Sequence, residues 1–307
     1  MIKGLAITPP VIGRISIGRV VEKNGKRLPE KDDQFTLTSQ LQNRDGWILH
    51  PLDEALRKGS GGKLRALPVR LLFNDPALSL RAAYTLFDRE SGRPVCVGDG
   101  QKCRRLVEGS VTAMDCPGAD ACDFGQDRGC KPFARLNVVI DNEDELGTFI
   151  FRTTSYNSIR TLCARLRYYH AASGGHLASL PLELRLRGKS TAQSFRTPIY
   201  YVDLVTRTGS NLAAAIQEAH EIHGRRAAAG FDQLALDAAA RDGLACGAFE
   251  ECPEDLPEIV DASDDTASGN AEASDDGALG SAEPRGTGKG RALRDKLEHK
   301  AQTVEIG

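Results

Sequence analysis

Five cysteines, Cys96, Cys103, Cys116, Cys122 and Cys130, crowd into one short segment, while Cys163, Cys246 and Cys252 lie apart from them. Thiols at that density can bind a metal, form disulfides or act as nucleophiles. A tetrahedral Zn²⁺ site needs four convergent N or S donors, which usually sit on tight turns that aim side chains inward. The neighbours suit this: Val-Gly-Asp-Gly follows Cys96, Pro-Gly follows Cys116, and Gly129 precedes Cys130. The three loop thiols, Cys116, Cys122 and Cys130, plus one from the 96–103 segment, would close a Cys₄ site. An iron–sulfur cluster would use the same four thiolates and is the less favoured occupant. No CxxC knuckle is present, and the spacings x₁₂, x₅ and x₇ after Cys103 fit no common zinc finger. The competing reading is a set of unrelated small buried hydrophobes. A nucleophilic cysteine is disfavoured because no histidine lies near in sequence. Cys163 sits beside an apolar helical stripe and reads as core packing.

A second concentration of chemistry is electrostatic. Between Arg152 and Arg207 there are nine Lys/Arg and two acids, Glu183 and Asp203, interleaved with Tyr156, Tyr168, Tyr169, Phe195, Tyr200 and Tyr201. Cations that track phosphates beside aromatic stacking platforms describe a nucleic-acid surface, and a protein partner could use the same face. The candidates are Arg160, Arg167, Arg185, Arg187, Lys189 and Arg196. Glu183, Arg185 and Arg187 share one strand face by period two. His220 and His223, spaced i, i+3, could ligate but read as a solvated helix face. Signatures of serine hydrolases, zincins, P-loops and deaminases are missing from the sequence.

These groups must be carried by a sheet and helices. GRISIGRVV (13–21) and QFTLTS (34–39) alternate around an Asn-Gly signal and predict a hairpin. LPVRLLF (67–73) and LRAAYTLF (80–87), separated by NDPALS, predict an antiparallel pair. ARLNVVI (134–140), GTFIFRTT (147–154), PLELRLRG (181–188) and PIYYVDLVTR (198–207) supply further strands. Ile159, Leu162, Leu166 and Tyr169 form the stripe of a helix over 155–175, with Ser155 to Ser158 as its cap and Gly174-Gly175 as its stop. A second helix runs from about Asn211 to Ala229. The expected fold class is α+β: a mostly antiparallel sheet with two main helices, a Cys-rich metal-stapled insertion at 95–133 and a disordered acidic C-terminal tail. The cysteine connector has too few large apolar residues for a core of its own, so a structural metal would replace it.

Charge divides the chain. Residues 1–249 hold 34 Lys/Arg against 27 Asp/Glu, whereas 250–283 hold 12 acids and no base. The predicted organisation is a single domain over 1–249, a disordered linker over 250–288, and a short charged tail with helix-forming residues over 289–307. MIKGLAITPPVIGRISIGRV lacks an apolar export core, and no run is long enough to span a bilayer, so a cytoplasmic protein without a membrane partner is expected. A reducing compartment disfavours a disulfide framework and favours metal.

The order VIGRISIG, NGKRLPEKDDQFTLTS, LPVRLLFNDP, VCVGDGQKCRRL, CPG…C…CKPFARLNVVI and PLELRLRGKSTAQSFRTPIYYVDL resembles the phage recombination directionality factor-like proteins over about residues 10–207. The resemblance is most specific at Cys96, Gly98-Asp99-Gly100, Arg105, Cys116-Pro117, Cys130-Lys131-Pro132 and Arg135-Leu136. It implies Cys96, Cys116, Cys122 and Cys130 as the zinc set, with Cys103 as the alternative. It also implies a non-enzymatic accessory of a phage or integrative element, whose partner is a serine integrase or other recombination protein, DNA, or both. The alternative reading is a metal-dependent nuclease or other hydrolase of such an element.

Overall fold

The computed structural model describes residues 10–23, 26–43, 46–88, 90–126, 128–140, 147–190, 198–246 and 258–259. Two long strands open the chain, β1 (Val11–Lys23) and β2 (Lys26–Asn43), followed by β3 (Gly46–Leu49) and helix α1 (Pro51–Gly59). Then come β4 (Ala66–Leu71), the single turn α2 (Pro76–Ser79), β5 (Leu80–Phe87), β6 (Pro94–Gly98), β7 (Lys102–Val107) and β8 (Ser110–Asp115). The second half runs β9 (Lys131–Ile140), β10 (Thr148–Thr153), α3 (Tyr156–Ala172), a 3₁₀ turn (Leu177–Ser179), β11 (Leu182–Lys189), β12 (Ile199–Thr206), α4 (Leu212–Ala228), α5 (Gln233–Cys246) and β13 (Glu258–Ile259).

The strands form one mixed, mostly antiparallel sheet whose main path is β13-β2-β1-β10-β9-β5-β6-β7-β8. The expected hairpin is present: β1 and β2 pair antiparallel, with a register shift between Ile17 and Arg19. β1 then pairs in parallel with β10, Val11 against Thr148, so the start of the chain lies beside its middle. The predicted β4–β5 hairpin does not form. Asp75 caps α2 by accepting from the Ala77 N–H at 2.9 Å, and Pro76 supplies the first helical position, so NDPALS makes a helical turn that redirects the chain. β9 pairs with both strands, taking β5 along Lys131–Leu136 and β4 along Val138–Ile140. β11 joins β4 on one side and β12 on the other.

The core lies between this sheet and the helices. Ile159, Leu162, Leu166 and Tyr169 of α3 are buried, as their spacing predicts, against a cluster that includes Phe35, Leu136, Phe149, Leu184 and Leu204. Ser155 Oγ accepts from the Ser158 N–H at 3.4 Å and opens that helix. α4 starts at an Asn211 cap, whose side chain accepts from the Ala214 N–H at 2.9 Å, and buries Ala215, Ala219 and Ile222. Asp53 of α1 is buried because it is fully partnered: it accepts from the Leu37 N–H at 2.8 Å and from Arg57 Nε at 2.5 Å.

Among the described residues five helices stand where two main ones were expected. α5 packs on α2 around Phe73, Leu78 and Ala240, with Asp237 accepting from the Asn74 N–H at 3.1 Å and Arg241 pairing with Asp75 at 3.0 Å. Its alanine-rich sequence buries little side-chain volume, which weakens the periodic signal. Within 250–288, expected to be disordered, Glu258–Ile259 pair in parallel with Leu41–Gln42; the rest of that linker, and the tail at 289–307, lie outside the described residues. Among the described residues no helix is long and apolar enough to cross a membrane.

Candidate functional site

The segment expected to be a loop-rich insertion is a three-stranded meander at the end of the sheet, followed by the loop 116–130. β5 pairs with β6, β6 with β7, and β7 with β8. The turn between β6 and β7 is built by Asp99, whose carboxylate accepts from the Gln101 and Lys102 N–H groups, both at 2.8 Å. Glu108 and Gly109 both take positive φ, 49° and 81°, in the tight turn between β7 and β8. Because Cys96 sits opposite Arg105 and Gly98 opposite Cys103, the pleat puts all four on one face.

The remaining thiols fold over that face. The Cys116 N–H donates to the Gln101 carbonyl at 2.9 Å, which seats its side chain above Gly98: a Cβ on Gly98 would stand 2.7 Å from Cys116 Sγ and 2.7 Å from Cys103 Cβ. In the loop, the Gly125 and Gln126 N–H groups donate to the Cys122 carbonyl, and the Gly129 and Cys130 N–H groups to that of Gly125. A Cβ on Gly125 would lie 3.6 Å from Cys122 Sγ and 3.5 Å from Cys130 Sγ, so this glycine is the space that both sulfurs flank.

Arg105 ties strand to loop. Its guanidinium donates to Cys122 Sγ at 3.7 Å and stacks 3.9 Å over the Phe124 ring, which Arg128 covers at 4.4 Å. Burial works against the Arg105 charge, but the sulfurs of Cys96, Cys103 and Cys122 outweigh it and push its pKa up. Burial pushes the Cys103 thiol up to about 11, reinforced by the adjacent Cys96 sulfur. Burial likewise raises Cys130, with Cys96, Cys122 and Cys116 adding to the effect. Leu86, Cys96 and Cys103 form a small separate core, with Val95, Cys116, Phe124 and Cys130 packed against it. These five and Cys163 are unbridged thiols. Cys163 packs against the main core.

Structure thus brings the five predicted cysteines into one module. Their donors do not converge: no group of three or more His, Cys, Asp or Glu among the described residues is arranged to hold a metal ion.

The basic stretch is less uniform than its composition. Both of its acids are buried and used: Asp203 pairs with Arg165 at 3.0 Å and Arg187 at 3.4 Å, and Glu183 with Arg185 at 2.6 Å. The predicted Glu183–Arg185–Arg187 face is therefore an ion-pair network in which the acids are buried and the arginines stay partly exposed. Arg160, Arg167 and Lys189 are exposed, and Arg196 lies outside the described residues. Tyr156 and Tyr168, 60% and 55% exposed, flank Arg160 and Arg167 on the outer side of α3, whereas Tyr169 belongs to the core. The outward cations and aromatics are thus concentrated on one helix.

The model of the Gp3-like, recombination directionality factor-like family matches residues 12–207. The chain belongs to this family. No curated protein and no solved structure matches it. The family match begins within β1 and ends just past β12, so it contains both the thiol module and the outer face of α3, while α4 and α5 lie beyond it. For this family member, sequence reasoning missed Phe124 as the platform between two arginines. An aromatic residue in an otherwise polar cysteine loop was the available signal.

Proposed function

We propose that this protein is a non-enzymatic accessory of a phage or integrative element, acting in DNA recombination by docking on a serine integrase, with zinc stapling its β6–β8 module. The observation that carries this is the family match, which contains the five-thiol module and the outer face of α3 in one unit. Cys96, Cys116, Cys122 and Cys130 fit a zinc ion by chemistry: they are soft donors around Gly98 and Gly125, where missing side chains leave room for sulfur. Bringing four sulfurs onto one ion requires rotamer changes, and the loop 116–130 carries three of the four. Cys103, whose thiol donates to the Asp115 carbonyl at 3.6 Å, is the spare. Zinc would supply cross-linking energy to a module with little apolar core and would leave no open coordination position.

The α3 face, with Arg160, Arg167, Tyr156 and Tyr168, is the surface offered to the integrase, with Lys189 as a further exposed cation. The adjacent acids Asp32 and Asp33 offer a hydrolase no free carboxylate pair, since Asp33 is bound to Lys63 and Arg65.

The test is a reconstituted recombination reaction with the integrase of the same element. Addition of the chain should favour excision, and the double variant Arg160→Glu/Arg167→Glu should abolish both integrase co-elution and the directional effect while keeping the parent's thermal midpoint. No co-elution and unchanged direction with the parent protein would overturn the proposal. Elemental analysis should find about one zinc per chain, lost on Cys116→Ser.

A further inference from the structure

Four of the six histidines meet at one corner outside the thiol module. His170 ends α3, Gly174 and Gly175 turn the chain with positive φ of 62° and 88°, and His176 caps the 3₁₀ turn on which α4 packs. The Gly175 N–H donates to the His170 carbonyl at 2.9 Å, which fixes that turn. From α4, His220 and His223 project one turn apart onto His176, with ring centroids 4.7 Å and 4.3 Å from its own. Three imidazoles from two distant stretches of chain are thus in ring-to-ring contact. Nδ1 of His176 is buried and has no hydrogen-bond partner among the described residues. A core histidine normally satisfies that atom.

We propose that His176, His220 and His223 form a second metal site, a three-imidazole set for a divalent transition ion such as Zn²⁺, Co²⁺ or Ni²⁺. Imidazole nitrogen suits these borderline ions, and three such ligands leave a fourth position for water. Only neutral imidazole ligates, and burial together with the two neighbouring rings holds His176 below its ordinary pKa. As placed, the His220 ring meets His176 edge-on at 70° and the His223 ring is tilted by 44°, and the three are not arranged around an ion. Closing the set requires turning the rings about their side-chain bonds, which exposed His220 and half-buried His223 leave room to do. The α4 acids are placed otherwise: Glu221 accepts from Gln217 at 3.2 Å along the exposed helix side, and Glu218 is exposed.

The inference does not depend on the thiol module, and cobalt separates the two sites. The full-length chain, preloaded with one equivalent of Zn²⁺, is titrated with Co²⁺ and followed by visible absorption and calorimetry. Expected is a further equivalent of Co²⁺ with ligand-field bands but without a thiolate-to-cobalt charge-transfer band. His220→Ala and His223→Gln should each weaken Co²⁺ binding at least ~10-fold, since loss of even an outer-shell partner costs that much. His220 is exposed, so its variant folds even if one at His176 does not. Imidazole NMR signals of the three histidines should broaden together on Co²⁺ addition. Co²⁺ uptake that is insensitive to both variants, or no uptake free of the thiolate band in either the zinc-loaded or the metal-free chain, overturns the site.

Discussion

Replacing Gly98 with alanine adds one methyl group at the most crowded point of the thiol module. Its Cβ would stand 2.7 Å from Cys103 Cβ, 2.7 Å from Cys116 Sγ and 3.0 Å from the Lys102 carbonyl. Cys116 Sγ is the end of a side chain and can turn away. Cys103 Cβ and the Lys102 carbonyl belong to β7, held by β6 on one side and β8 on the other, so relieving the contact means shifting a strand. Overpacking of this kind costs about 1–3 kcal/mol. At roughly 2–4 °C per kcal/mol for a domain of this size, the thermal midpoint should fall by about 2–12 °C. On the proposed zinc reading, displacing Cys116 should also lower the zinc content, so calorimetric unfolding and elemental analysis of one preparation give paired readouts. Gly59→Ala, where a Cβ meets nothing within 4 Å, is the matched control and should change neither. If Gly98→Ala has the parent's midpoint and zinc content, Cys116 does not sit over Gly98 and the packing argument fails.

Other expectations rest on single side chains. Asp53→Ala strands Arg57 and the Leu37 N–H and should cost about 3–5 kcal/mol in urea unfolding, since it breaks a buried, hydrogen-bonded ion pair. Leu166→Ala, at a fully buried position on α3, should cost about 2–5 kcal/mol by the same measurement. Burial raises the Asp237 pKa, reinforced by Asp75, against opposing contributions from the Gln233 and Asn74 hydrogen bonds and Arg241. The unfolded carboxyl ionises first, so the contribution of Asp237 to stability is fully present below about pH 4 and is lost as pH rises through the folded pKa. Asp237→Asn should therefore gain on the parent as pH rises, read as a widening difference between urea midpoints.

Legibility in the sequence followed how strongly a segment's own residues decide its state. The α3 stripe needs only helical spacing and a burying surface, and Asn211 and Ala229 bound α4 almost where propensity ends it. β4 and β5 were visible as strands but not in their pairing, because the Asp75-Pro76 turn between them acts locally while β9, far along the chain, decides which neighbours they take. The thiols were legible as a group from their crowding. Arg105 and Phe124 as their tether, and His176 as the third imidazole of its corner, were hidden because each contact joins separate segments and leaves no periodic trace.

The parallel pairing of β1 with β10 has a kinetic meaning. Val11 cannot reach its permanent neighbour until Thr148 has been synthesised, and Val69 of β4 must likewise wait for Leu182. Contacts this distant carry loop-closure entropy into the rate-limiting step and slow folding. During synthesis the β1–β2 hairpin therefore leaves the ribosome with one edge unpaired, an opening for association with other nascent chains. The β6–β8 meander is the opposite case, since each of its strands pairs with the next one along the chain. It can close as soon as it emerges, so Cys96, Cys103 and Cys116 stand together before the surrounding sheet exists.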